Sequence, residues 1–154
     1  MPSKAATATP ELLKLDNQVC FALYSASLAM TKLYKPLLES MGLTYPQYLA
    51  MLVLWERDGL TVSELGDRLY LDSGTLTPLL KRLETMGLVA RLRDAQDERR
   101  VRVTLTDKGL ALRDEAENIP PCVLQKTQCT IPQLQALTAE LSDLRERLSP
   151  RPSD

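Results

Sequence analysis

Apolar residues return every three or four positions over most of the chain, and this spacing predicts amphipathic helices. The first stripe, over residues 15–37, indicates a long helix that ends near Met41-Gly42. The last stripe follows a single seam over residues 131–148, with charged residues on the other faces. Because a terminal helix has little core left to cover within one subunit, we expect this seam and the first helix to form a subunit interface.

Capping residues mark the helix starts in the middle of the chain. The segments Thr44–Gln47 and Thr61–Glu64 both have the capping-box pattern, in which a threonine and the Gln or Glu three positions later bond reciprocally. The first box predicts a helix that stops at Asp58-Gly59. The second predicts a short helix that runs through Leu69.

The next helix has two possible starts. Asp72 stands before an apolar face and is a good cap, and Gly87 closes the segment. Pro78 lies inside it, however, and an interior proline removes a backbone donor. Thr77 is therefore an alternative cap, with Pro78 as the first helical residue.

Beyond Gly87 the apolar period changes from helical to two. Residues 101–105 alternate between apolar and polar side chains, which predicts a hairpin of two short strands around a charged turn. Thr106 can then cap a helix running to Asn118, where Ile119-Pro120-Pro121 breaks the chain. These patterns predict a mainly α protein with a small β-hairpin.

Composition narrows the kind of protein. The 154 residues contain neither an apolar run that could cross a membrane nor a signal peptide, so we expect a cytoplasmic protein without a membrane partner. The absence of histidine excludes the usual His-based triads, and three cysteines do not make a disulfide framework. We expect neither a metal nor a cofactor.

The order of the predicted elements is that of a winged helix-turn-helix, whose second helix enters the major groove of DNA. The net charge is −1, but from Thr75 to Arg102 seven basic residues stand against four acidic ones, a local charge of +3. The polar positions expected to reach the duplex from the reading helix are Asp72, Ser73, Thr75, Thr77 and Lys81.

Several sequence blocks make a family resemblance specific. YPQYLAMLVLWE, LTVSELGDRLYLDSGTLTPLLKRLETMGLV and DERRVRVTLTDKG resemble the MarR family of dimeric winged-helix repressors. The first block and CFALYS are similar to its organic-hydroperoxide-sensing (OhrR-type) branch. The resemblance implies a homodimer that reads an inverted-repeat operator in double-stranded DNA, with Asp97 and Arg99 shaping the wing and Arg99 in the minor groove.

The expected architecture is a winged helix-turn-helix with N- and C-terminal dimerisation helices. A single domain covers residues 15–148 and is divided into dimerisation helices (15–43 and 107–148) and a DNA-binding lobe (44–106). Flexible tails are expected at residues 1–14 and 149–154.

Cys20 is the candidate redox sensor. It lies about one turn into the first helix if Asp16 or Asn17 is the cap, so the helix dipole can favour its thiolate, the form that a hydroperoxide oxidises to a sulfenic acid. The resemblance implies that Tyr34 and Tyr45 donate their hydroxyls to the sulfur across the dimer interface. An alkyl or fatty-acid hydroperoxide would suit the apolar neighbours expected there, Phe21, Leu23 and Leu54.

The resemblance also implies an intersubunit disulfide that follows oxidation of Cys20 and releases DNA. The usual position of the second cysteine aligns with Gln125, between Cys122 and Cys129, and all three could share one helical face. Cys122 is preferred for its place beside the Pro120-Pro121 break, and Cys129 stays open.

Other functions compete with this one. A MarR-type repressor that responds to a non-covalent small aromatic ligand would keep its induction when Cys20 is replaced by serine. A thiol peroxidase is disfavoured by the absence of a Cys-x-x-Cys motif and the small number of strands, so we predict a regulator and not an enzyme. A structural dimerisation protein would show no salt-dependent DNA binding.

Overall fold

The computed structural model describes residues 8–149, so most of the two predicted tails, residues 1–7 and 150–154, lies outside the described part. The α-helices of the described part are α1 (Val19–Glu39), α2 (Tyr45–Glu56), α3 (Val62–Leu69), α4 (Ser73–Thr85), α5 (Asp107–Ala116), α6 (Ile119–Thr127) and α7 (Ile131–Leu148). The strands are β1 (Leu60–Thr61), β2 (Val89–Arg93) and β3 (Val101–Leu105). None of the helices within residues 8–149 is both long and apolar enough to cross a membrane.

Both predicted capping boxes are confirmed. Thr44 Oγ1 accepts a hydrogen bond from the Gln47 amide at 3.4 Å, and the Gln47 side chain accepts one from the Thr44 amide at 3.0 Å. The Thr61 and Glu64 pair makes the same two bonds at 3.1 and 3.3 Å. These bonds satisfy backbone donors that the first turn of a helix leaves without partners, which fixes where α2 and α3 begin.

The reading helix α4 starts at the earlier of its two possible caps. The Asp72 carboxylate accepts a hydrogen bond from the Thr75 amide at 2.9 Å, so the alternative start at Thr77 is wrong. Pro78 is tolerated inside the helix because the bond it removes would reach the carbonyl of the exposed Gly74 in the first turn, where water can replace it. Gly87 follows the helix with a φ of +77°, as a closing glycine does.

The predicted hairpin is confirmed, with one additional strand. β2 and β3 pair antiparallel from Val89↔Leu105 to Arg93↔Val101. β1 pairs with the other edge of β3, with Leu60 opposite Val103, giving the strand order β1-β3-β2. Two residues are too few to show an alternating pattern, so β1 had no signal in the sequence.

The first helix begins later than predicted. Two 3₁₀ helices occupy residues 11–13 and 15–17, and the cap of α1 is Gln18, not Asp16 or Asn17. The side-chain amide of Asn17 is used instead to donate to the Glu11 backbone carbonyl at 2.7 Å. Cys20 is therefore the second residue of α1, and part of the expected N-terminal tail has regular structure.

The break among the C-terminal helices also differs from the prediction. α5 ends at a turn through Glu117 and Asn118, and the two prolines stand in the first turn of α6, where a missing amide proton has no cost. α6 ends at Thr127 and is followed by Gln128, whose φ is +56°. Cys129 therefore lies in the link between α6 and α7, and the predicted helical face shared with Cys122 is wrong.

The core lies in the DNA-binding lobe but extends past its predicted bounds. Residues from both flanking segments are buried in the same cluster as α2, α3, α4 and the sheet: Leu38, Met41, Leu43, Ala116, Ile119 and Val123. The N-terminal half of α1 and most of α7 stand outside this core. Most of their large apolar side chains are exposed in the single chain, and the others in α7 are partly exposed.

Candidate functional site

A cleft of about 520 Å³ separates the helix-turn-helix from the hairpin. Four of the residues predicted to contact DNA line it: Asp72, Ser73, Thr77 and Arg99. Ser73, Thr77 and Lys81 are each four positions apart on α4 and so share one face of that helix. Thr75 is two positions from Ser73 and from Thr77, so it is exposed on a different face. The structure thus brings three of the predicted DNA-contact residues within α4 to one surface and leaves Thr75 away from them.

Asp72 has a structural role within this surface. Hydrogen bonds from Thr75 hold the pKa of the Asp72 carboxyl below its ordinary value, so the group is ionised at neutral pH. A carboxylate at the start of α4 satisfies an amide there and complements the positive end of the helix dipole.

The tip of the hairpin presents Arg99 and Arg100 to the solvent, and Asp97 makes an ion pair with both. The Asp97 carboxylate accepts hydrogen bonds from the Arg99 amide and Nε, both at 3.1 Å, and from its Nη2 at 3.3 Å. The Arg99 side chain is nevertheless 91% exposed. These bonds from Arg99 hold the pKa of Asp97 below its ordinary value. The carboxylate thus orients a guanidinium whose outer face is open.

Other arginines of the basic cluster are used inside the protein. Arg91 bonds to Glu84 at 3.2 Å, which joins β2 to α4 and lowers the pKa of Glu84. Arg102 donates to the Gly59 carbonyl at 2.9 Å and to Asp94 at 3.3 Å. The local charge counted from sequence therefore overstates the number of cations that are open to a phosphate backbone.

Tyr34 and Tyr45 form a close pair at the junction of α1 and α2. Their ring centroids are 4.8 Å apart, and both residues are partly exposed. Burial raises the pKa of both phenols, and the neighbouring Tyr45 raises that of Tyr34 further, so both stay protonated at physiological pH. Neither hydroxyl has a hydrogen-bond partner among residues 8–149. The pair is a set of two available donors.

Cys20 lies far from these phenols in the same chain. It is exposed near the start of α1, and Tyr34 follows 14 positions later on that helix, a distance of about 21 Å at a rise of about 1.5 Å per residue. A continuous helix cannot bring its two ends together. One chain alone therefore does not assemble the predicted sulfur site.

The apolar surroundings predicted for Cys20 are correct only in part. Phe21 and Leu23 are partly exposed next to it on α1, whereas Leu54 is fully buried in the core of the lobe and cannot line a surface site. Tyr45 also lines a mostly apolar cleft of about 440 Å³ at the α1–α2 junction, together with Leu38 and Leu43.

Tyr48 is a third tyrosine beside Tyr34 and Tyr45, and the sequence did not predict its place there. The ring centroid of Tyr48 lies 5.9 Å from that of Tyr34 and 6.4 Å from that of Tyr45, and the residue is only 3% exposed. In sequence Tyr48 resembles any core aromatic. The spacing Tyr45-x-x-Tyr48, which puts two tyrosines on one helix face, is the signal that could have revealed it.

The two C-terminal thiols differ in their setting. Cys122 lies within α6, whereas Cys129 lies in the α6–α7 link with its Sγ 3.4 Å from the Thr127 carbonyl oxygen. Both are partly buried, and all three cysteines are free. Within residues 8–149, no three acidic or cysteine side chains come together in a group that could hold a metal ion.

A three-stranded wing beside a helix-turn-helix with an exposed reading helix defines the chain as a winged-helix DNA-binding regulator. The family described as transcriptional regulator SarA/Rot matches residues 32–116. The organic hydroperoxide resistance transcriptional regulator of Bacillus subtilis is 50% identical over 136 residues, which cover 88% of this chain and 92% of that protein. The chain belongs to the MarR family, in its organic-hydroperoxide-sensing branch.

Two further relatives agree with this assignment. The transcriptional regulator TtmR of Methylorubrum extorquens is 51% identical over 137 residues, 89% of this chain and 70% of that protein. The crystal structure of AbfR of Staphylococcus epidermidis is 38% identical, with a TM-score of 0.75 over 92% of this chain and 97% of that one. The predictions of a winged-helix fold and of a regulator and not an enzyme are confirmed.

AbfR has been solved in more than one state. The chain matches reduced AbfR bound to DNA with a TM-score of 0.73 at 35% identity, over 92% of this chain and 100% of that one. It matches disulfide-formed AbfR with a TM-score of 0.60 at 36% identity, over 90% of this chain and 92% of that one.

Proposed function

We propose that this chain is a homodimeric repressor that binds an inverted-repeat operator and releases it when an organic hydroperoxide oxidises Cys20. The observation that carries the proposal is the pair of protonated phenols, Tyr34 and Tyr45, whose hydroxyls have no acceptor among residues 8–149. A thiolate is an acceptor that such a pair would stabilise by hydrogen bonds without adding a formal charge.

The exposed apolar surface supports the homodimer. Residues 19–30 of α1 contain no charged side chain, and nearly all of them are exposed in the single chain. A helix that is apolar on most faces is stable in water only when something covers it. A second copy, applied through α1 and through the exposed seam of α7, supplies that cover.

The same dimer would complete the sulfur site. Because Cys20 and Tyr34 stand about 21 Å apart on one helix, antiparallel packing of two α1 helices about a twofold axis can set each sulfur against the phenols of the other subunit. Each dimer would then hold two sites, each with the sulfur of one subunit and the phenols of the other. The apolar cleft that Tyr45 lines offers room beside such a site for the alkyl group of a hydroperoxide.

The proposed chemistry has two steps. The Cys20 thiolate attacks the distal oxygen of the hydroperoxide, the O–O bond breaks, and the alkoxide takes a proton and leaves as an alcohol. The sulfur is oxidised to a sulfenic acid and the peroxide is reduced. A second thiol then displaces water from the sulfenic acid to form a disulfide, which cellular thiols reduce again.

We assign the second thiol to Cys129, with Cys122 as the alternative. Cys129 lies in a link between helices, so it can move toward Cys20 without unwinding a helix, whereas Cys122 is held within α6. A disulfide requires Cα atoms within about 7 Å. Drawing the α6–α7 link toward the start of the partner's α1 would displace the lobes that pack on these helices.

Release of DNA follows from this displacement. Two reading helices of a dimer fit successive major grooves only when they are about 34 Å apart, so rotation of the lobes breaks the match. The existence of AbfR both reduced on DNA and in a disulfide form supports a switch of this kind, and the TM-score of this chain is higher against the former, 0.73 compared with 0.60.

The test uses a duplex selected from a random pool by the reduced protein. Wild-type protein should release this duplex after one equivalent of cumene hydroperoxide, and Cys20→Ser should bind it equally well but not release it. On a non-reducing gel, wild type and Cys122→Ser should run as a crosslinked dimer and Cys129→Ser should not. Release of DNA by Cys20→Ser at the same peroxide concentration would refute the proposal and favour a non-covalent effector.

A further inference from the structure

Tyr48 is buried against both phenols of the proposed sensor. The centroid of its ring lies 5.9 Å from that of Tyr34 and 6.4 Å from that of Tyr45, with interplanar angles of 40° and 42°. The two outer rings belong to different helices, whereas Tyr48 lies on α2 one turn after Tyr45 and is covered by the core. The inner ring is therefore the common support of the outer two.

The outer pair depends on such a support. Tyr34 and Tyr45 are partly exposed, whereas Tyr48 is buried, so Tyr48 is the ring of the three that the core holds most closely. Tilted rings at these distances make favourable edge contacts with one another. A flat, rigid filler behind them fixes the separation of the two hydroxyls more tightly than a flexible aliphatic chain could.

We infer that Tyr48 is a positioning residue of the peroxide-sensing site, whose rigid ring sets the spacing between the Tyr34 and Tyr45 hydroxyls. The inference rests on the proposed function. Tyr48 acts through the two phenols and does not touch the sulfur or the peroxide. Burial, together with the neighbouring Tyr34 and Tyr45, raises the pKa of Tyr48 to about 12, so its own hydroxyl is never ionised under physiological conditions.

The test uses three substitutions of Tyr48, of which two remove the ring and one keeps it. Tyr48→Leu should slow sulfenic acid formation at Cys20, measured with cumene hydroperoxide and a dimedone trap, by about tenfold or more, since misplacement by about 1 Å can cost about 100-fold in rate. Tyr48→Phe keeps the ring and should react within about twofold of wild type. Tyr48→Met fills the space without a rigid ring and should also be slow, which keeps the test valid if Tyr48→Leu folds poorly.

A matched control separates position from stability. Val103→Ala removes methyl groups from a fully buried residue of β3. It should lower the midpoint of urea unfolding about as much as Tyr48→Leu does, without changing the rate of sulfenic acid formation at Cys20. All variants should bind the selected duplex in the reduced state. A Tyr48→Leu variant that reacts like wild type, or a Tyr48→Phe variant as slow as Tyr48→Leu, would overturn the inference.

A further variant distinguishes this failure from that of the proposed function. Replacing both Tyr34 and Tyr45 by phenylalanine removes the two proposed donors while keeping all three rings. If the double variant reacts with peroxide as fast as wild type, the proposed sulfur site is wrong. If the double variant is slow and Tyr48→Leu is fast, only the role of Tyr48 fails.

Discussion

Gly109 lies where α5 meets α2 and the residue before β2, and its replacement by alanine is a sharp test of stability. It lies in the first turn of α5, where its carbonyl accepts a hydrogen bond from Trp55 Nε1 at 2.9 Å. A Cβ atom at this position would lie 2.0 Å from the Leu88 carbonyl oxygen and 3.0 Å from its carbon. Ordinary contacts begin near 3.4 Å, so α5 and the start of β2 would have to separate by more than 1 Å.

The cost follows from what would have to move. Overpacking typically costs about 1–3 kcal/mol, and this overlap belongs at the upper end because it involves backbone that cannot rotate away. Separation would also weaken the bond from Trp55, worth about 1 kcal/mol. Alanine in a helix recovers up to about 1 kcal/mol relative to glycine. We therefore expect Gly109→Ala to lower the free energy of unfolding by about 3 kcal/mol.

The assay is urea unfolding of the reduced protein at one fixed concentration, because dimerisation would make stability depend on concentration. With a slope of about 2 kcal/mol per molar urea, the midpoint should fall by about 1.5 M. Gly74→Ala is the control, since it also lies in the first turn of a helix but has no neighbouring atom within 4 Å of its Cβ. An unchanged midpoint for Gly109→Ala would refute the reasoning.

Arg99→Ala should weaken operator binding and reduce the slope of log affinity against log salt by about 0.9 per wing, as loss of one phosphate contact does, whereas Arg113→Ala on α5 should leave the slope unchanged. An unaltered slope for Arg99→Ala would place that guanidinium away from DNA. Thr61→Ala should cost about 1–2 kcal/mol in urea unfolding because it removes the cap of α3, and a cost near zero would contradict that role. A carboxyl ¹³C titration should place the pKa of Asp97 below about 3.9. The stabilisation from this carboxylate is then present above pH 4 and lost as the pH falls through the folded value, and a midpoint at or above 3.9 would show that Arg99 does not hold it.

The parts of the fold that sequence could predict are those with a local chemical signal. Thr44 and Thr61 each need one partner three residues away, and the alternation around Val103 records which face of β3 meets the core. The start of α1 has no such signal, because its cap Gln18 makes no side-chain capping bond and two 3₁₀ helices precede it. The apolar spacing, which continues back to Leu15, therefore extended the predicted helix too far toward the N-terminus.

The site was predictable to the same degree. The resemblance implied that Tyr34 and Tyr45 donate to one sulfur, which requires the two phenols to lie close together, and their ring centroids are 4.8 Å apart. Their contact with Cys20 stays a prediction. Tyr48 was missed because its burial is a property of the folded lobe and not of its neighbours in sequence. Leu54 was misplaced for the same reason, since the sequence of α2 is apolar on most faces and does not reveal which surface a given leucine meets.

The length of α1 has a further consequence for the proposed sensor. If α1 keeps the Cys20 sulfur and the phenols of one subunit apart, a single subunit cannot react rapidly with peroxide and cannot contact both half-sites of an operator. Peroxide sensing and operator binding would then be lost together when dilution dissociates the dimer. Mixing Cys20→Ser subunits with subunits in which both phenols are replaced would give heterodimers with two different sites. One site would contain Cys20 and both phenols, and the other would lack the cysteine and the phenols.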